Sequence, residues 1–172
     1  MASVDFYYEG SNITVHCDKS ERMEQIFQKF INKTNANPNS IIFLYNGTII
    51  SNAKLTFNQI SNLDDKNRNK MNIIVTNSSK NYSPQFLFTK IFNADESIKD
   101  FAKMAILLAF QEYPDDGYKR CQLITEKFNE RYKGYWICSI KKDGNTYGYF
   151  YSLIVIKYGD YKILIGQTKE EK

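Results

Sequence analysis

Residues 124–140 read ITEKFNERYKGYWICSI. Ile124, Phe128 and Tyr132 recur every four residues, which puts them on one helical face, and Gly134 supplies a residue at ease at positive φ, where a helix stops. Trp136, Cys138 and Ile140 then alternate, as side chains do on one face of a strand. The stretch specifies a helix delivered through a tight turn onto a sheet.

Upstream, residues 114–117 (PDDG) break one helix and begin the next, in which Cys121, Ile124 and Phe128 line one face. Asn93 or Asp95 is placed to cap a preceding helix that runs to about Tyr113, with Ile98, Phe101, Ala102, Ala105, Leu108 and Ala109 as its apolar face. A β-rich run, 86–92, comes before it. Downstream, strands at 135–141, 146–158 and 161–165, separated by Asp143-Gly144-Asn145 and Gly159-Asp160, predict a meander with a frayed tail at 169–172.

The spacing of Phe128, Tyr132, Trp136 and Cys138, with Asn93-Ala94-Asp95 ahead of the first helix, resembles the dynein light chain family of the eight-kilodalton type, over roughly residues 86–168. The resemblance implies two helices packed on an antiparallel sheet. It further implies that Tyr147, Gly148, Tyr149, Phe150 and Tyr151 lie in the strand that the family exchanges between subunits, Gly148 matching the family's glycine. In that family the edge beside this strand takes a partner peptide as an added strand, by main-chain hydrogen bonds with side-chain pockets for specificity. The family's acidic residue near the start of the second helix falls at about Lys119, so its usual peptide preference is not expected to carry over.

The first half reads differently. Strands at 4–9 and 13–17 flank Gly10-Ser11-Asn12, a hairpin signal. Ser20 is placed to cap a helix whose apolar face is Met23, Ile26, Phe27, Phe30 and Ile31. A loop at 35–40, a strand at 41–45, the Asn46-Gly47 turn, a return at 48–50, an irregular or short helical piece around Leu55, Phe57 and Ile60, a polar stretch at 64–70 and a last strand at 71–76 complete it. That order, with FLYNG at 43–47 and the Leu55-Thr56 step, is similar to the ubiquitin-like β-grasp fold. Thr76-Asn77-Ser78-Ser79 stands where that family has its paired glycines, and Thr48 where it has a chain-forming lysine, so conjugation is not expected.

The fold class expected is therefore α+β: a ubiquitin-like domain at 1–76, a polar linker at 77–85 ending in Pro84, and a dynein-light-chain-like domain at 86–172. The totals agree with two small domains, since 172 residues with 42% hydrophobic and 15% aromatic content can build real cores. The longest apolar run, 104–110, is far short of the ~20 residues that cross a bilayer, and no charged-then-apolar start directs export. Three cysteines without CxxC spacing argue for reduced thiols in the cytosol. A net charge of +4, with bases and acids interleaved, gives no stripe for nucleic acid.

Enzymatic constellations are not evident. His16, the single histidine, neighbours Cys17 in a strand, where adjacent side chains point apart and cannot form a nucleophile–base pair. Asp115-Asp116 reads as helix capping. GNTYG at 144–148 lacks the helix a phosphate loop needs. No catalytic residue, cofactor or metal is expected.

Trp136 and the aromatic run remain: amphipathic aromatics of this kind are favoured at interfaces, and the equal alternative is a sheet whose aromatics pack under the two helices. The expected function is a non-enzymatic structural or assembly subunit of a dynein or other microtubule-based complex, cytoplasmic and cytoskeletal, with a cilium axoneme as one setting. Its partner-binding residues would be Trp136, Tyr147, Gly148, Tyr149, Phe150, Tyr151 and Lys119, and its partners an intermediate chain or other light chains. The alternative is a ubiquitin-pathway adaptor that docks a receptor through the Leu44 face. A continuous strand over 147–158 would offer no crossover to a second subunit, so homodimerisation is expected to be impaired.

Overall fold

The computed structural model describes residues 1–78, 85–142 and 150–168. The chain is a mixed α+β protein that divides into two compact units, Met1–Tyr82 and Ser83–Lys172. Most of the linker expected at 77–85 lies outside the described residues, as do the turn at 143–145 and the tail at 169–172.

In the first unit, strands β1 (Ala2–Tyr8) and β2 (Ser11–Cys17) form an antiparallel hairpin. Helix α1 (Met23–Thr34) follows, then β3 (Ile41–Tyr45), β4 (Thr48–Ile49), the short helices α2 (Phe57–Ile60) and α3 (Leu63–Arg68), and β5 (Lys70–Asn77). The sheet order is β2-β1-β5-β3-β4, with β5 parallel to β1 and antiparallel to β3. Alternation sends Val4, Phe6, Val15, Cys17, Met71, Ile73 and Val75 to the core shared with Met23, Ile26, Phe27 and Phe30 of α1. Phe27 stacks on Phe43 at 3.8 Å between centroids and Phe6 lies 4.6 Å from Phe30. Each buried ring contributes roughly 1.5–3 kcal/mol.

Two local features differ from expectation. Ser20 does not cap α1; the helix begins after Arg22, whose amide donates to the Gln25 side chain at 3.2 Å. The amides of Met23 and Glu24 donate instead to the Leu55 and Ala53 carbonyls at 2.9 and 2.8 Å, so a distant loop satisfies donors that a serine would otherwise serve. The polar stretch at 64–70 contains α3, capped by the Asn62 side chain, which accepts from the Asp65 amide at 2.9 Å. Asp65 is buried because Tyr45 Oη donates to it at 2.7 Å and Arg68 pairs with it at 2.5 Å.

The second unit runs β6 (Phe86–Phe92), α4 (Glu96–Glu112), α5 (Gly117–Arg131), β7 (Tyr135–Lys141), β8 (Ser152–Tyr158) and β9 (Tyr161–Thr168). Asp95 caps α4 and Asp116 caps α5, each carboxylate accepting an amide three residues on, at 2.9 and 3.0 Å. A bulge between Phe88 and Lys90 interrupts the alternation of β6. Arg120, buried, closes the α4–α5 turn: its guanidinium donates to the Tyr113 carbonyl at 2.7 Å and to the Pro114 carbonyl, and lies 4.0 Å from the Phe110 ring centre.

The expected meander is corrected. The sheet order is β6-β8-β9-β7, so β7 pairs with β9 rather than with β8, and β8 and β9 form the hairpin. Local alternation marks strands without naming their neighbours, which is why sequential order misled. Of the strand expected at 146–158, residues 146–149 lie outside the described residues, and β8 begins only at Ser152. Ser152 Oγ donates to the Asn93 carbonyl at 2.8 Å, Asn93 Nδ2 donates to the Tyr151 carbonyl at 3.0 Å, and the Tyr151 amide donates to the Gln167 carbonyl at 2.8 Å. These bonds fix the bend from which β8 starts.

Candidate protein-docking surface

The two faces of the second sheet have different tasks. Ile154, Ile156, Ile163 and Ile165, each 0% exposed, lie on the inner face with Phe88, over which Lys103 of α4 extends. The helix-to-strand corner is closed by aromatic contact: Phe128 lies 4.8 Å from Trp136, and Tyr132 lies 5.8 Å from Trp136 and 5.5 Å from Phe101. Gly134, at φ 100°, makes that corner possible; a Cβ there would stand 2.2 Å from Gln167 Nε2, which donates to the Lys133 carbonyl at 2.6 Å. The Trp136 amide donates to Asn129 Oδ1 at 2.9 Å, tying the first turn of β7 to α5.

The outer face carries an apolar row. Register aligns Phe92 with Leu153, Leu153 with Gly166, and Gly166 with Ile137, across all four strands. Phe150 packs with Leu153, Val155 and Leu164, its ring over Gly166, where a Cβ would be 2.4 Å from Phe150 Cδ1. At the ends of this surface Phe92, Tyr135 and Ile137 are exposed, Tyr135 to 64%. β7 is the last strand of the sheet: among the described residues no other strand pairs along its far side, where the Trp136 amide is taken by Asn129 of α5. The rest of that main-chain edge, beside the exposed Tyr135 and Ile137, has the features that accept another strand.

The sequence-selected residues divide. Trp136 is corrected: at 3% exposure it belongs to the core, where alternation on β7 turns it toward Phe128 and turns Tyr135 and Ile137 outward. Leu44 is corrected as a docking residue as well, being 1% exposed on β3 with Ile74, also 1% exposed, as its ladder partner. Phe150 is turned onto the outer face, and Tyr151 is exposed at the bend before β8. Tyr147, Gly148 and Tyr149 lie outside the described residues. Lys119 is exposed near the start of α5, its Nζ 5.6 Å from the Tyr113 ring centre.

Sequence reasoning overlooked Tyr135, Ile137 and Phe92, although the same alternation that marks Trp136 sends 135 and 137 to the opposite face. It also overlooked the meeting of Cys121 and Cys138, whose thiols are hydrogen-bonded to each other. That bond favours the Cys121 thiolate and holds its pKa down to about 7, while Cys138 is pushed well up as the donor. Cys17 is buried, which pushes its thiol up to about 11, and His16 is exposed beside it. Among the described residues no three His, Cys, Asp or Glu side chains converge as metal ligands, and no helix is long and apolar enough to cross a membrane. No protein-family model and no curated protein matches this sequence.

Proposed function

We propose that the chain is a non-enzymatic adaptor, a ubiquitin-like domain followed by a dynein-light-chain-like domain, that serves as a structural or assembly subunit of a dynein or other microtubule-based complex. The observation that carries this reading is the position of β7 as the last strand of a four-stranded antiparallel sheet, with helices on one face and the exposed Tyr135 and Ile137 on the other. It agrees with the resemblance read around Trp136. The first unit supports its own half through the helix α1 laid on a mixed sheet with β1 and β5 parallel at its centre.

A partner strand adds along β7 by main-chain hydrogen bonds, and Tyr135 and Ile137 supply side-chain contacts. Lys119 selects against the peptides the family usually takes. The partner is an intermediate chain, another light chain or a second copy of this chain, in a cytoplasmic, cytoskeletal setting such as an axoneme. The burial of Leu44 removes the residue on which receptor docking by a ubiquitin-pathway adaptor was to rest.

Co-purification of the tagged full chain tests the assignment. Dynein chains and tubulin are the expected companions; proteasome or ligase subunits in their place overturn it. Sedimentation of the same full chain separates self-pairing from pairing with a different chain.

A further inference from the structure

The four strands of the second sheet contain four lysines and no acidic residue: Lys90 on β6, Lys141 on β7, Lys157 on β8 and Lys162 on β9. Three of them are direct neighbours. Register sets Leu87 opposite Lys157, Lys157 opposite Lys162, and Lys162 opposite Lys141, so one row crosses the whole sheet. It lies on the outer face, where the row of Lys90, Val155, Leu164 and Ser139 separates it from that of Phe92, Leu153, Gly166 and Ile137. Lys90, Lys141, Lys157 and Leu87 are exposed. Residues directly opposite on neighbouring strands hold their Cβ atoms about 4.5–5.5 Å apart, and like charges so placed destabilise a sheet. Lys141 and Lys157 form no ion pair among the described residues, and Asp160 in the β8–β9 turn reaches neither. A face with charge of one sign, kept at a cost to folding, is complementary to an anionic ligand.

We propose that this lysine row binds an acidic, extended segment of a protein partner, whose carboxylates lie over Lys157, Lys162 and Lys141 and whose apolar side chains reach Phe92 and Ile137. This rests on the second sheet being a protein-docking surface, as proposed above, and gives the docked chain its chemistry. Rows on one face are two residues apart, so the lysine row and the apolar row stand four residues, or ~13 Å, from each other. Side chains four positions apart in an extended partner match that separation. The basic row is short and has apolar side chains beside it, which suits a peptide better than nucleic acid, whose readers carry denser basic stripes. Bound carboxylates offset the repulsion between neighbouring lysines, so the charges that weaken the free sheet strengthen the complex.

The test titrates the purified full chain into a fluorescein-labelled peptide, Phe-Ile-Thr-Ser followed by a run of glutamates, and reads binding by anisotropy. Binding should weaken as salt is raised. The double variant Lys141→Gln, Lys157→Gln should lose affinity on the order of tenfold, whereas Lys54→Gln, which removes an exposed charge from the first unit, should leave it unchanged. In urea unfolding at low salt, followed by the emission of Trp136, the unfolding constant of the double variant should fall about two- to fivefold, and that gain should fade with added salt. Lost binding in a more stable protein is not misfolding. A peptide that does not bind, an equal loss in Lys54→Gln, a double variant less stable at low salt, or tighter binding of phosphatidylserine vesicles or single-stranded DNA would each overturn the proposal. If the peptide fails while the co-purified complex persists at high salt, the lysine row is not the contact and the adaptor assignment stands. If the peptide binds and no dynein chain co-purifies, that assignment falls and the acidic-segment site stands.

Discussion

Replacing Trp136 by alanine removes the ring that closes the helix-to-strand corner. The side chain is 3% exposed and touches the Phe128 and Tyr132 rings, so the loss combines transfer of a large aromatic group with a cavity between α5 and the sheet. Truncations of this kind cost ~3–5 kcal/mol, a large share of a small domain's stability. Trp136→Phe separates the contributions. The buried indole Nε1 has no hydrogen-bond partner among the described residues, and deleting an unsatisfied donor recovers about 1–3 kcal/mol. Phenylalanine should therefore cost much less than alanine. Trp136 is the single tryptophan, so its emission in the wild-type chain reports unfolding of the second unit alone, and far-UV dichroism follows the same transition in the variants. Unchanged unfolding in Trp136→Ala, with partner binding lost, would refute the core assignment. Equal cost for phenylalanine and alanine would refute the argument about the indole N–H.

Two further perturbations probe other parts of the molecule. Gly166→Ala must push the Phe150 ring off the outer face, since the new Cβ would stand 2.4 Å from it, and should cost about 1–3 kcal/mol; paired with Phe150→Ala in urea unfolding, the two losses should be strongly non-additive, and simple additivity would deny the contact. Asp5, buried on β1, is subject to a burial effect that raises its pKa, which hydrogen bonds from Lys70 and Thr14 at 2.7 Å outweigh, so its folded pKa lies below the ordinary value. A depressed carboxyl contributes stability that is present above the unfolded pKa of about 3.9 and is lost as pH falls through the folded value. Acid titration of the first unit's unfolding should thus show a drop below about pH 4, and Asp5→Asn should flatten it; the same acid slope in the variant would contradict this origin.

What the sequence disclosed follows from which interactions are local. The caps at Asp95 and Asp116, the stop at Gly134 and the apolar faces of α1, α4 and α5 depend on residues a few positions apart, and each is legible as spacing. The start of α1 is not, because its orphan amides bond to carbonyls at Ala53 and Leu55. Helix α3 has no apolar period; it rests on the Asn62 cap and on Tyr45 reaching Asp65 from another strand. The neighbours of β7 are a matter of long-range pairing, to which alternation is blind. Alternation likewise gives two faces to β7 without saying which the helices cover. Spacing alone therefore leaves Trp136 between core and interface, and does not single out Tyr135 and Ile137, which hold the exposed positions.

The claim that β7 receives a partner strand is tested most directly by hydrogen exchange on the full chain, free and in the complex with which it co-purifies. The account predicts that peptide 134–141 becomes strongly protected in the complex, with Tyr135→Ala and Ile137→Ala weakening the partner and leaving the wild-type unfolding midpoint in place. A stable complex in which β7 exchanges as fast as in the free chain would contradict it.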